Sequence, residues 1–127
     1  MKLVIDTSIL IDYLRGGTLW EELVRNLKKD TEIYLPTIVM FEIFSGKSTS
    51  NPKIAKEINN FLAYFQRIEL TEDIAKRAGE LFRDVNRNLG AQDYIIAASA
   101  LELNATVVTL NKKHFEQIAN LNIYPLQ

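Results

Sequence analysis

Three acidic residues stand where the surrounding sequence is least hospitable to charge. Asp6 ends the apolar run Leu3-Val4-Ile5, Glu42 interrupts Ile38-Val39-Met40-Phe41-Glu42-Ile43-Phe44, and Asp93 opens Asp93-Tyr94-Ile95-Ile96-Ala97-Ala98-Ser99-Ala100-Leu101. A carboxylate among such side chains must find a partner, take up a proton or bind a cation, because an unpaired buried charge costs on the order of several kcal/mol. Each acid also has a structural reading. Asp6 with Thr7 and Ser8 can cap a helix, Glu42 can pair with an Arg or lie along an exposed face, and Asp93 can be a first-turn acid favoured by the helix dipole. The chemical reading is that three elements bring their carboxylates to one crevice. Clustered carboxylates repel unless a cation sits between them, and oxygen-only ligands favour Mg2+ or Mn2+ over zinc. Such an ion orients a phosphodiester, neutralises its developing charge and lowers the pKa of a bound water, so the chemistry expected is metal-assisted phosphodiester hydrolysis.

Elements able to position these acids can be read along the chain. Leu3-Val4-Ile5 has the continuous apolar pattern of a strand buried on both faces, and Ile9, Leu10, Tyr13 and Leu14 recur at helical spacing. Asp6 is therefore expected at the carboxyl end of a buried strand, where open α/β sheets bind ligands. Beyond Gly16-Gly17, Thr18 is expected to cap a helix over Leu19 to Lys29, followed by a strand over Glu32 to Leu35 and the Glu42 helix from Pro36-Thr37. Ser48 to Asn51 reads as a polar loop, and Pro52 opens a helix to Phe65 whose stripe of Ile54, Ile58, Phe61, Leu62 and Phe65 is expected to pack in a core or an oligomer contact. A third strand is expected over Arg67 to Leu70, then a helix from Thr71 through Val85 that ends by Asn88-Leu89-Gly90. After the Asp93 helix come a strand over Thr106 to Thr109, a short helix from Asn111 to Ala119 and a last strand over Asn122 to Tyr124. Alternating strands and helices predict an α/β fold with a central parallel sheet of about four to five strands, covered by helices on both faces.

Composition narrows the field. At 127 residues and 47% hydrophobic, residues 1–127 are expected to form one domain with a sizeable core. A formal net charge of −1 gives no global basic field, so a nucleic-acid partner would need a local patch. The absence of cysteine excludes disulfide staples, thiolate nucleophiles and Cys-type zinc sites, and suits a reducing cytoplasm. No run approaches the ~20 apolar residues of a membrane span, so the expected location is cytoplasmic. Ser45-Gly46-Lys47-Ser48-Thr49 has the ending of a phosphate loop, but Phe41 occupies the place of the required first Gly and the segment ends a helix.

Val4-Ile5-Asp6-Thr7-Ser8, the lone Glu42, Asp93 to Ala100, and Val107-Val108-Thr109-Leu110-Asn111-Lys112-Lys113-His114-Phe115 together resemble a PIN domain of the VapC type over nearly the whole chain. The resemblance implies a Mg2+- or Mn2+-dependent endoribonuclease, the toxin of a type II toxin–antitoxin pair, dimeric and silenced by a VapB antitoxin bound over the active site. It makes Asp6, Glu42 and Asp93 the catalytic, metal-holding carboxylates, with Ser8, Asn111 and His114 candidates for supporting or substrate contacts. His114 departs from the pattern, since family members often carry a further acid just before the Phe. That loss of one negative charge favours one metal ion over two, and leaves His114 as a proton-transfer group, a neutral ligand, an RNA contact or a surface residue. Arg15, Lys47, Arg87, Lys112 and Lys113 are the candidate phosphate contacts, each near the end of an element carrying the site.

Two other readings share these residues. A catalytically weak PIN module would bind RNA or an antitoxin without cutting. A receiver-type phospho-acceptor domain would need paired acids after the first strand and a Lys after the last full-length one, whereas this chain offers Asp6 alone and Lys112 as a loose match.

Overall fold

The structure, a computed structural model, describes residues 1–85 and 89–126. Five strands form one sheet: β1 (Lys2–Ile5), β2 (Glu32–Pro36), β3 (Gln66–Ile68), β4 (Thr106–Val108) and β5 (Asn122–Ile123). Their order is β3-β2-β1-β4-β5 and every pairing is parallel. The helices are α1 (Thr7–Leu14), α2 (Leu19–Asn26), α3 (Thr37–Phe44), α4 (Pro52–Leu62), α5 (Glu72–Asp84), α6 (Ala91–Leu103) and α7 (Lys112–Phe115), with a 3-10 turn at Lys47–Ser50. The expected α/β architecture is what is found.

Strand order decides where a ligand can enter. From β1 the chain moves outward through β2 to β3, then returns to lay β4 on the other side of β1. The reversal opens a crevice beyond the carboxyl ends of β1 and β4. β1 and β4 meet in register at Val4–Val107 and Ile5–Val108, so Asp6 and Thr109 leave the sheet side by side. Because α6 runs into β4, its first turn lies at this same end, and α3 starts there as well, following β2.

Burial explains why these elements form. Leu3, Val4, Ile5, Val107 and Val108 have no exposed surface, as a central parallel strand requires. The small residues Ala97, Ala98, Ser99 and Ala100 let α6 sit close against the sheet, and its end is capped by Asn104 in the left-handed conformation (φ 55°). Thr71 caps α5 by accepting the Ile74 N–H (3.2 Å), and Asn51 caps α4 by accepting the Lys53 N–H (2.9 Å).

Several boundaries differ from the expectation. α4 stops at Leu62, not Phe65, because Tyr64 and Phe65 bond back in tight turns while Arg67 donates to the Leu62 and Phe65 carbonyls (2.6 and 2.9 Å), closing the helix end. α2 ends at Asn26, since Leu27 turns extended, and α7 spans only Lys112–Phe115. The Thr18 hydroxyl does not cap α2; it donates to Glu22 (3.3 Å). Part of the polar loop at 48–51 is the 3-10 turn. Asn88, expected to help end α5, lies outside the described residues.

An aromatic cluster fixes the face that carries α1. Tyr13 stacks on Phe61 at 4.0 Å between ring centres, and Trp20 and Phe65 pack edge-on or tilted against the same group at 5.1–5.5 Å. The expected stripe on α4 is therefore core. Phe61→Ala should cost about 3–4 kcal/mol, the range for buried Phe truncation, read by urea unfolding; a loss under ~1 kcal/mol would show that the cluster does not hold α1, α2 and α4 together.

Candidate active site

Asp6 is 3% exposed, yet its carboxylate does not cap α1. Instead Ser8 Oγ donates to Asp6 Oδ2 (2.8 Å), and Thr109 Oγ1 donates to the same oxygen (2.7 Å). Each hydroxyl in turn accepts a backbone N–H from the loop after β4: Ser8 from Leu110 (3.0 Å) and Thr109 from Asn111 (2.9 Å). The chain of donors converges on Oδ2 and fixes the orientation of the carboxylate. Oδ1 has no partner among the described residues, and no buried side-chain oxygen or nitrogen among them lacks one, so Oδ1 keeps some solvent contact.

Glu42 lies in the second turn of α3, half-buried, and Thr7 Oγ1 donates to its Oε1 (2.7 Å). The residue that follows Asp6 thus ties α3 to the end of β1. Asp93 sits in the first turn of α6, its side chain 20% exposed, with His114 Nδ1 3.5 Å from Oδ2. At that length the contact is loose, and it becomes an ion pair only when His114 is protonated.

The three acids feel one another's charge. Burial raises the Glu42 pKa above its ordinary value; the Thr7 hydrogen bond partly opposes this, and the charges of Asp6 and Asp93 add to the rise. Burial likewise raises the Asp93 pKa and the Asp6 charge adds to it, while the His114 charge, the Gly90 backbone and a His114 hydrogen bond lower it. No Lys or Arg pairs with any of the three among the described residues. The donor set, hard oxygens with uncompensated repulsion, suits a divalent cation. Among the described residues no three acids or histidines stand close enough to enclose an ion by themselves.

The remaining candidates fall unevenly. Ser8 belongs to the site through Asp6. Asn111 contributes its backbone N–H, and its side chain does not cap α7. Arg15 is exposed and lines cavities on both sides of α1, one including Glu42 and the other Ser8. Lys112 pairs with Glu116 (3.6 Å) on an exposed face, Lys47 and Lys113 are exposed, and Arg87 lies outside the described residues. Sequence reasoning missed Thr109, read only as the end of a strand, and Thr7, read only as a cap. The receiver-type alternative fails here, since the positions after Asp6 supply hydroxyls where paired acids are required.

A pH dependence follows from these shifts. Glu42 and Asp93 hold protons more tightly folded than unfolded, so without metal the folded state gains stability as pH falls through their raised pKa values and loses it as pH rises through them. Glu42→Gln should raise the metal-free Tm at neutral pH by roughly 2–5 °C and flatten that pH dependence, while Mn2+ should raise the wild-type Tm more than the variant's. An unchanged or lower Tm in calorimetry would show that the acids do not strain the fold.

Comparison with known proteins agrees with this geometry. The PIN domain family matches residues 3–121. Ribonuclease VapC19 of Mycobacterium tuberculosis is 35% identical over 131 residues, covering 95% of this chain and 97% of its own, and Ribonuclease VapC1 of Methanocaldococcus jannaschii is 29% identical, covering 96% and 85%. Among solved structures, VapBC2 from Rickettsia felis bound to a DNA fragment from their promoter superposes with a TM-score of 0.85 at 26% identity, covering 98% of both chains. VapBC-1 from nontypeable Haemophilus influenzae does so at 0.82 and 26%, covering 99% and 98%. With the family match running over residues 3–121 and the relatives covering almost the whole chain, the chain belongs to the PIN-domain family, in its VapC group.

Proposed function

We propose that this protein is a VapC-like endoribonuclease that hydrolyses RNA phosphodiester bonds with Mg2+ or Mn2+ held by Asp6, Asp93 and Glu42. The observation that carries the reading is the Asp6 arrangement, a buried carboxylate whose one oxygen is fixed by Ser8 and Thr109, whose other oxygen has no partner among the described residues, and whose charge acts on both Glu42 and Asp93. The ion supplies charge neutralisation at the phosphate and an acidified water. Asp6, Asp93 and Glu42 would hold it, with Thr7 fixing the Glu42 carboxylate by its hydrogen bond. His114, beside Asp93, is the candidate for passing a proton to the leaving oxygen. A VapB-type antitoxin is the expected partner, supported by the similarity to chains solved within VapBC complexes; a homodimer and a cytoplasmic location complete the reading. No helix among the described residues is long and apolar enough to cross a membrane.

RNA cleavage with added Mn2+ or Mg2+ tests this directly. Asp6→Asn and Asp93→Asn should each lower the rate at least about 100-fold, and Thr109→Val and Ser8→Ala about 10- to 100-fold, as groups that orient a ligand do. Cleavage that survives EDTA or both acid variants would falsify the metal mechanism; RNA binding without cleavage would favour a catalytically weak module, for which the missing fourth acid, replaced by His114, is the motive. His114→Asp restores a carboxylate and should tighten Mn2+ binding in a calorimetric titration, whereas unaltered affinity would place that side chain away from the ion.

A further inference from the structure

A second cavity shares Ser8 with the Asp6 network and is lined by none of the three acids. It is an open depression of about 460 Å3, within the size range of small-ligand sites, between α1, the Gly16-Gly17 turn and the loop after β4. Ile11 (37% exposed) and Leu110 (47% exposed) give it apolar walls open to solvent. Asp12 is only partly buried, and its carboxylate has one long contact, from the Leu19 N–H at 3.4 Å to Oδ2, which leaves Oδ1 uncommitted among the described residues. The turn is built around this acid: Gly16 takes φ +85°, and a Cβ at Gly17 would overlap the Asp12 carboxyl. Arg15 stands at the rim with no ion pair among the described residues.

Resting on the nuclease reading, we propose that this cavity is a nucleobase subsite for the nucleotide next to the scissile phosphate, and that it selects guanine. Ser8 is shared between the cavity wall and the Asp6 network, so a base seated here is a direct neighbour of the reacting phosphate. A free carboxylate repels the RNA backbone, and its place in a substrate groove is against the donor edge of a base. Guanine is the base that offers a carboxylate two adjacent donors, N1–H and N2–H, while its O6 and N7 present the acceptor pair that a guanidinium fork takes. Asp12 and Arg15 supply those two partners, with Ile11 and Leu110 against the ring faces.

Two measurements on the full chain test the assignment separately from the nuclease reading. In the first, a randomised RNA pool is cut with Mn2+ and the product ends are sequenced. Guanine should be favoured about ten-fold or more at one position flanking the cut, and Asp12→Asn and the exposed-site variant Arg15→Gln should each collapse that ratio, in proteins whose melting is checked. In the second, metal-free protein is titrated by NMR with 5′-GMP, AMP, CMP and UMP. GMP should bind tightest, and Asp12→Asn should erase its advantage. Cleavage with no flanking preference, a preference for another base, or a guanine preference unmoved in both variants overturns the subsite and leaves the nuclease standing. Selective, Asp12-dependent GMP binding without any cleavage supports the subsite and overturns the nuclease. A purely structural Asp12, one that only seats the start of α2, would alter melting and leave base selectivity where it was.

Discussion

A buried carboxylate held at one oxygen by two hydroxyls is the constraint on which the rest of this structure depends. Hydrogen bonds to a charged group contribute about 1.5–3 kcal/mol each, and together they offset much of the cost of taking Asp6 out of water. Their sources matter as much as their strength. Ser8 is set by the first turn of α1 and Thr109 by the end of β4, so Asp6 is oriented only when β1 and β4 are paired in register. The fold and the site are in this sense one interaction described at two scales.

The other two acids are held with less force and more strain. Glu42 has one hydroxyl partner and Asp93 a loose imidazole, and both feel the Asp6 charge. A protein selected for stability alone would neutralise such a crevice with an Arg or fill it with apolar side chains. Retaining three unbalanced carboxylates at the switch point of the sheet is the local conflict that active sites carry at the expense of stability.

Much of this was legible in the sequence because burial leaves a pattern. The continuous apolar runs of β1 and α6, and the isolation of Asp6, Glu42 and Asp93 within or beside such runs, expose both the sheet and the acids. The strand order is less visible: alternation of elements predicts a parallel sheet without saying that β4 returns to the side of β1. Hydroxyl residues are harder still. Thr7 and Thr109 look like any cap or strand end, since Ser and Thr bond to whatever lies near, and only the register of β1 with β4 reveals that Thr109 faces Asp6. Boundaries slipped where side chains closed an end that periodicity would continue, as Arg67 does for α4. Charged surface residues carry the weakest signal, and of the basic candidates Arg15 lines the cavities beside the acids while Lys112 is engaged with Glu116.

The pairing of β1 with β4 also has a consequence for how the chain comes into being. Residue 6 leaves the ribosome long before residue 109, and the intervening helices can gather around β1 and β2 while the slot beside β1 is still vacant. Until β4 fills it, the Asp6 side chain lacks its Thr109 donor and the segment bearing Asn111 and His114 has no anchor. Emergence of the second central strand is therefore the event that completes the Asp6 arrangement, and a nascent chain halted short of it carries that acid without its second hydroxyl donor.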